Sequence, residues 1–505
     1  MNKLERWTRP SLILGFTAFA IHLLFNQGYG IFRDELYFIV CGQHPAWGYV
    51  DQPPLVPLLA AFSHWLFGDW LTGFRLIPAL ALSATVGLTA EFAAAVGGGR
   101  FAQYLAGICA LLAPHFLAIG LLFTTDTFQP ISWLLCAWIL LRIEQTRNER
   151  LWTVFGLVAG ASLLSKYMIA FYLAALAVGL LATPLRRSLL RPWVYIGALM
   201  ALALVLPNIL WQQAYGWPFL ELGRAAMNGK NVALSPPAYF FQQLLLVGFL
   251  AAPVWLAGLW ASLYKPKYAV YRAFPIAYAL LFTFFVVSHG KGYFLTSIYP
   301  ILFAIGAAAI EGWVKDAGWR STILVAVTLS GIVPIPLAIP VLPEEPYIRY
   351  AAALGLGPSA TAGENLKQGR LPQHFADQHG WPAMAAKVAK VYWALPPQER
   401  AKAVFFGRNY GEAAAIDVYG ARLGLPPAIS GHNNYYLWGT HGYDGSVVIV
   451  IGGRQSDYPM YSSMRQAGFL DDPYAMPYET GQPIYVLNGP KQALARIWPR
   501  LKHYE

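Results

Sequence analysis

The feature that most constrains this chain is its series of apolar runs, each close to the length needed to cross a lipid bilayer. A membrane-crossing helix takes about 20 mostly apolar residues. Eleven such runs fall near 11–30, 74–96, 101–121, 128–142, 151–165, 167–183, 193–213, 239–263, 271–289, 292–312 and 319–342. Composition agrees, since 57% of the 505 residues are hydrophobic and only 12% are charged, against roughly 25% charged in soluble domains. The chain reads as a polytopic α-helical membrane protein with about eleven transmembrane helices. The first run follows MNKLERWTRP, and Ala18 and Ala20 look like a weak cleavage cue. Because Arg33-Asp34-Glu35 follow it without a small-residue linker, it reads as an uncleaved helix.

A net charge of +11 invites a nucleic-acid reading. The basic residues, however, sit in short clusters between apolar runs, where they act as orientation signals; no nucleic-acid partner is expected. With the N-terminus cytoplasmic, fifteen Lys and Arg, from Lys3, Arg6 and Arg9 to Lys315 and Arg320, fall in inside segments. Six fall outside before the last helix: Arg33, Arg75, Lys166, Arg224, Lys230 and Lys291. This predicts a multi-pass transmembrane domain over 1–342, with a first external loop at 31–73. Beyond Leu342 the sequence is more polar, and the β-like runs AVFFG, SVVIVIGG and PIYVLNG alternate with helix-compatible stretches such as YGEAAAIDVYGARLG. These predict a soluble α/β domain over 343–505 on the external face.

Other chemistry is thinly represented. Three scattered cysteines, Cys41, Cys109 and Cys136, give neither a disulfide framework nor a metal spacing. No GxxxxGK[ST] loop, HExxH or CxxC occurs, which argues against an ATP-driven pump or a zinc protease. No cofactor is implied; a divalent metal ion beside a phosphate is compatible with the sequence, but no ligand spacing demands one.

The unusual residues collect in the predicted external segments. Arg33, Asp34 and Glu35 follow the first apolar run. The two carboxylates either cap a short interfacial helix or supply a general base with Arg33 beside it. Asp51, in YVDQPPL, is a cap candidate or part of an acceptor loop with Gln52. Asp126 stands in a very short turn, LLFTTDTFQPISWLL, as the cap of the next helix or as a catalytic carboxylate. Lys166 and Lys291 interrupt apolar sequence. They either snorkel to the interface or join Arg33, Arg224 and His289 around an anionic headgroup such as phosphate. His432, in SGHNNYYLWG, either touches a sugar together with Tyr435, Tyr436 and Trp438 or belongs to a loop packed by its own aromatics.

Taken in order, RDELYF, GYVDQPPL, LLFTTDTFQP, LLSKY, LPNILWQQAYGWPF, GKGYFLTSIYP, NYGEAAAIDVYG and ISGHNNYYLWG resemble the GT-C superfamily of membrane glycosyltransferases. The likeness is to the protein O-mannosyltransferase-like group, which includes aminoarabinose lipid A transferases and Rgt-type galacturonosyltransferases. The resemblance implies an inverting glycosyltransferase in a bacterial inner membrane. It would draw a polyprenyl-phosphate-linked sugar from the bilayer and pass it to a glycan, lipid or protein acceptor outside. It also implies that Asp34 and Glu35 form the catalytic acidic pair, with Asp34 the better base, and that Asp126 is the second-loop carboxylate. Gln52 stands where the aminoarabinose transferases carry a lysine, so phosphate binding falls to Arg33, Lys166, Lys291 or Arg224. The alternative is a transporter or lipid flippase, in which the same carboxylates hold coupling ions or headgroups. Transporters place such groups near the bilayer midplane and show repeat symmetry, and neither is seen here; a non-catalytic scaffold would leave the Asp126 turn without a purpose.

Overall fold

The computed structural model describes residues 8–360 and 362–504; Lys3 and Arg6, two of the counted basic residues, lie outside them. The chain forms two compact units. One comprises Met1–Gln27, Thr72–Trp211 and Asn231–Leu342; the other comprises Gly28–Leu71, Gln212–Lys230 and Pro343–Glu505.

The first unit is a helical bundle, with apolar helices at each of the eleven predicted runs. Among the described residues, Leu76–Ala95, Pro192–Ala214 and Gly292–Trp313 are each long and apolar enough to cross a membrane as single helices, and two bent pairs raise that number to five. The remaining runs are shorter or broken, so length alone identifies fewer spans than hydropathy does. The run predicted at 239–263 is two helices, Pro236–Val247 and Phe249–Tyr264, meeting at 100°. The bend falls at Gly248, whose φ of 94° lies in the left-handed region that L side chains avoid. The run at 167–183 likewise turns by 108° after Leu180, before Pro184–Leu190.

Lipid replaces water around such a bundle, so apolar side chains can face outward. Leu199, Leu202, Leu206 and Leu210 are all exposed along Pro192–Ala214. In the interior, small residues let backbones approach. Helix Ala252–Tyr264 packs on Tyr299–Trp313, and a Cβ added at Gly306 would collide with the Val254 carbonyl, as one at Gly258 would with Leu302.

The second unit joins the first loop to the C-terminal segment. Its four-stranded sheet has the order β1 (Ala403–Phe406), β2 (Val447–Ile451), β4 (Gln482–Pro490), β3 (Tyr461–Leu470). β1 and β2 are parallel, while β4 is antiparallel to both β2 and β3. Val404, Ile429, Val448, Val450 and Leu487 form a core with Leu494 and Ile497. Strands β1, β2 and β4 coincide with the predicted runs. β3 had no such signal, because YSSMRQAGFL is an edge strand with mostly exposed side chains, and an unburied edge needs no apolar alternation. Helix Arg33–Gln43 packs against Leu55–Phe67 and Tyr410–Ala415, and the Arg33 N–H donates to the Asp377 carbonyl at 3.0 Å.

Replacing a helical glycine by alanine ordinarily stabilises by up to about 1 kcal/mol. At Gly306 the clash reverses the sign: Gly306→Ala is expected to cost about 1–3 kcal/mol, read as a lower unfolding temperature of the detergent-purified protein.

Candidate functional site

Each unit carries one group of the predicted site residues. In the second unit, Asp34 and Glu35 occupy the first turn of helix Arg33–Gln43 but face different surroundings. Successive residues on a helix point about 100° apart, and here one side chain turns inward. Glu35 has no exposed surface, and its Oε2 accepts the Phe32 N–H at 2.8 Å, so it closes the helix N-terminus. Asp34 keeps 30% of its side chain exposed. Its Oδ1 accepts the Tyr410 hydroxyl at 2.7 Å and lies 3.6 Å from Arg33 Nε.

Arg33 is 12% exposed and enclosed by aromatics and acid. Its Nη1 donates to the Tyr478 hydroxyl at 2.7 Å, Nη2 lies 3.6 Å from Asp377 Oδ2, and the guanidinium sits 5.2 Å from the Tyr410 ring centre. Asp377 is fully buried, and among the described residues neither carboxylate oxygen accepts a hydrogen bond of normal geometry. Burial pushes its carboxyl up to about 6 against the pull of Arg33, because desolvation penalises the charged form more than one cation at that distance restores.

Asp51 lies in the same unit. Instead of capping helix Leu55–Phe67, whose N-cap is Pro54, its Oδ1 accepts the Tyr37 hydroxyl at 3.1 Å. Burial pushes this carboxyl up to about 7, with the Asp34 charge acting in the same direction and the Tyr37 hydrogen bond opposing. Gln52 is buried and directs Nε2 at Cys41 Sγ, 3.9 Å away. Arg224 is exposed on Pro218–Ala225. His432 packs against Tyr410 and His503, with ring centres 4.9 and 4.5 Å apart. The aromatics beside it pack as a loop core: Tyr435 is buried and donates to Asp417 at 2.6 Å, Tyr436 stacks on Trp498 and Trp438 on His44.

The first unit holds the other group. Asp126 opens a 3₁₀ turn, Asp126–Phe128, fixed by the Thr127 hydroxyl donating to the Ile119 and Leu122 carbonyls at 2.9 and 2.8 Å. Asp126 caps no helix N-terminus; the Lys166 ammonium donates to its Oδ1 at 2.5 Å. Lys166 is able to reach it because its chain breaks between helices Leu151–Leu163 and Ile169–Leu180. Lys166 also lies 5.2 Å from the Phe294 ring centre and 5.9 Å from that of Tyr293, and Lys291 lies 5.8 Å from Tyr293. The two lysines thus share the Tyr293 ring, which attracts both cations. His289 is exposed, with φ 53°, and its carbonyl accepts the Asn231 side chain at 3.0 Å. Among the described residues, no trio of His, Cys, Asp or Glu is arranged for a metal ion.

With this geometry in hand, comparison with known proteins is specific. A profile described as Dolichyl-phosphate-mannose-protein mannosyltransferase matches residues 51–211. The lipid A galacturonosyltransferase RgtD of Rhizobium johnstonii is 23% identical over 350 residues, 65% of this chain and 70% of that protein. The undecaprenyl phosphate-alpha-4-amino-4-deoxy-L-arabinose arabinosyl transferase 1 of Pseudomonas fluorescens is 23% identical over 367 residues, 65% of this chain and 63% of that protein. The crystal structure of ArnT from Cupriavidus metallidurans bound to undecaprenyl phosphate aligns with a TM-score of 0.59. The alignment covers 95% of this chain and 98% of that one, at 15% identity. This chain has the fold of that membrane protein and, like the relatives it matches, is a glycosyltransferase. The relatives transfer sugars, which favours the enzyme over the transporter or flippase alternative.

The glycosyltransferase therefore has residues that sequence reasoning passed over: Tyr37, Asp377, Tyr410 and Tyr478. Tyr410 lay in plain view within NYGEAAAIDVYG. Asp377, in HFADQHGW, carried no local signal, since only the fold turns it toward Arg33.

The Asp51 carboxyl makes pH dependence testable. The folded state holds its proton up to about 7, whereas the ordinary value is 3.8, so the native state binds more protons than the unfolded chain between those values. Stability then falls as pH rises through that window and levels off above it. Asp51→Asn is expected to flatten this part of a melting-temperature profile recorded from about pH 5 to about pH 8.

Proposed function

We propose that the enzyme transfers a sugar from a polyprenyl-phosphate-linked donor to an acceptor on the external face of a bacterial inner membrane, with inversion at the anomeric carbon. The N-terminus is then cytoplasmic, with residues 343–505 external. Donors of this class fit the relatives: one is named for its undecaprenyl phosphate sugar, and ArnT was crystallised with undecaprenyl phosphate. The acceptor class follows the same relatives and covers lipid A or related lipopolysaccharide, an envelope glycan or a protein.

The observation that carries the reading is the division of labour between adjacent carboxylates: Glu35 is consumed as a cap, while Asp34 is anchored at one oxygen and open to solvent. In the proposed reaction Asp34 takes the acceptor hydroxyl proton as that oxygen attacks the anomeric carbon. The bond from carbon to the phosphate oxygen breaks, and its electron pair leaves on the lipid phosphate. A phosphate leaving group needs cations rather than a second acid. Within the helical bundle, Lys166 and Lys291 are the residues proposed to meet a lipid phosphate, with Asp126 fixing Lys166 and the Tyr293 ring near both. Arg33 is engaged by Asp377, Tyr478 and Tyr410, so its part is to set the Asp34 environment rather than to meet phosphate. Arg224 and His289, both exposed, are assigned to headgroup and acceptor approach. Asp51, Gln52 and His432 shape the acceptor loop.

Two substitutions test these roles in membranes from a deletion strain, with labelled polyprenyl-phosphate sugar and mass spectrometry of envelope lipids and glycans. Asp34→Asn at equal expression is expected to lower turnover by about 100-fold or more. Lys166→Met is expected to lower kcat/KM for the donor by roughly 10- to 100-fold, the scale of one lost charge-assisted hydrogen bond. Full transfer activity in Asp34→Asn would remove Asp34 from the role of base.

A further inference from the structure

The C-terminal motif NYGEAAAIDVYG is without a role in the reaction just described, and ISGHNNYYLWG enters it only through His432, yet the first motif reaches the Asp34 carboxylate and the second packs beside it. Tyr410 begins helix Tyr410–Ala415. Asn409 caps that helix, accepting the Glu412 N–H at 2.9 Å. The Tyr410 ring is held on several sides: Arg33 lies 5.2 Å, Tyr37 4.6 Å and His432 4.9 Å from its centre. Its backbone N–H donates to His432 Nδ1 at 3.3 Å. Little rotamer freedom is left to a side chain 8% exposed, so its hydroxyl presents a fixed donor to Asp34.

The second motif reaches helix Arg33–Gln43 through Tyr37 and the following loop through Val50. Asn434 Oδ1 accepts the Val50 N–H at 2.6 Å, and the Asn434 N–H donates to the Tyr37 hydroxyl at 3.2 Å, which itself donates to Asp51. Tyr37 and Tyr410 pack as a tilted pair, each donating to one carboxylate.

Both contacts to Asp34, from Tyr410 and from Arg33, fall on Oδ1. The carboxylate is thereby fixed in orientation through Oδ1, which leaves Oδ2 the oxygen outside these two contacts. Resting on the reading of Asp34 as general base, we propose that Tyr410 is a positioning residue for catalysis: its hydroxyl holds Asp34 so that Oδ2 receives the acceptor proton. The C-terminal segment then contributes directly to turnover through a residue 376 positions away in sequence. Preorganising a base in this way acts on the chemical step and leaves donor affinity alone.

The test uses the full-length enzyme in lipid nanodiscs and compares wild type with Tyr410→Phe, Asp34→Asn and the double variant. Tyr410→Phe keeps the ring packing and removes only the hydroxyl. It is expected to lower kcat by roughly 10- to 100-fold while leaving donor KM within about twofold and the melting temperature unchanged. In the Asp34→Asn background the same change is expected to have no effect, since the positioned group is gone. An unchanged kcat in Tyr410→Phe, a loss accompanied by a lowered melting temperature, or an equal further loss in the double variant would each overturn the inference. If residual turnover of Asp34→Asn is too low to compare, the kcat against KM split of Tyr410→Phe decides alone. Wild-type activity in Asp34→Asn would instead overturn the underlying assignment of the base, so the two failures are separable.

Discussion

The guanidinium of Arg33 is the interaction on which the second unit depends. Removing a cation from water costs several kcal/mol unless a counter-charge and acceptors replace the lost hydration. Arg33 obtains these from Asp377, the Tyr478 hydroxyl and the Tyr410 face, all contributed by the C-terminal segment, while its own helix belongs to the first loop. Asp377 in turn is buried, among the described residues without a hydrogen bond of normal geometry to its carboxylate, and Arg33 is the cation that compensates it. Breaking either partner leaves an uncompensated buried charge, so loop and C-terminal segment must fold as one body. Asp34 inherits its orientation from that mutual dependence.

The geometry also separates two kinds of carboxylate that composition cannot tell apart. Glu35, Glu412 and Asp377 are buried and serve a helix cap, a pair with Arg408 and a pair with Arg33. Asp34 is held at one oxygen and open to solvent. General-base chemistry requires the latter, since a carboxylate buried away from solvent cannot meet the acceptor hydroxyl. In the bundle the pairing is different: Asp126 and Lys166 meet directly, and the cation is shared with the aromatic faces of Tyr293 and Phe294.

Much of this was legible in the sequence. The apolar runs, the break at Ser165-Lys166-Tyr167, three of the four strands and the order of the polar motifs all carry local signals, because bilayer thickness and strand burial impose periodicity directly on residue order. The pairing of Lys166 with Asp126 was anticipated only as shared sidedness. What escaped was of another kind. The bend at Gly248 depends on one backbone torsion, and β3 is an exposed edge with no apolar alternation.

The sequence by itself determined that this chain is a multi-pass membrane protein, that its ionisable residues gather at helix ends, and that its motifs follow the order of a GT-C glycosyltransferase. Only the tertiary structure decided which carboxylate of the Asp34-Glu35 pair is open, that Asp51 and Asp377 are pushed toward their protonated forms, and that Tyr410 reaches Asp34. The physical reason is range. Hydrophobic patterning is a property of neighbouring residues, whereas desolvation and hydrogen-bond partnership depend on side chains brought together from hundreds of residues apart.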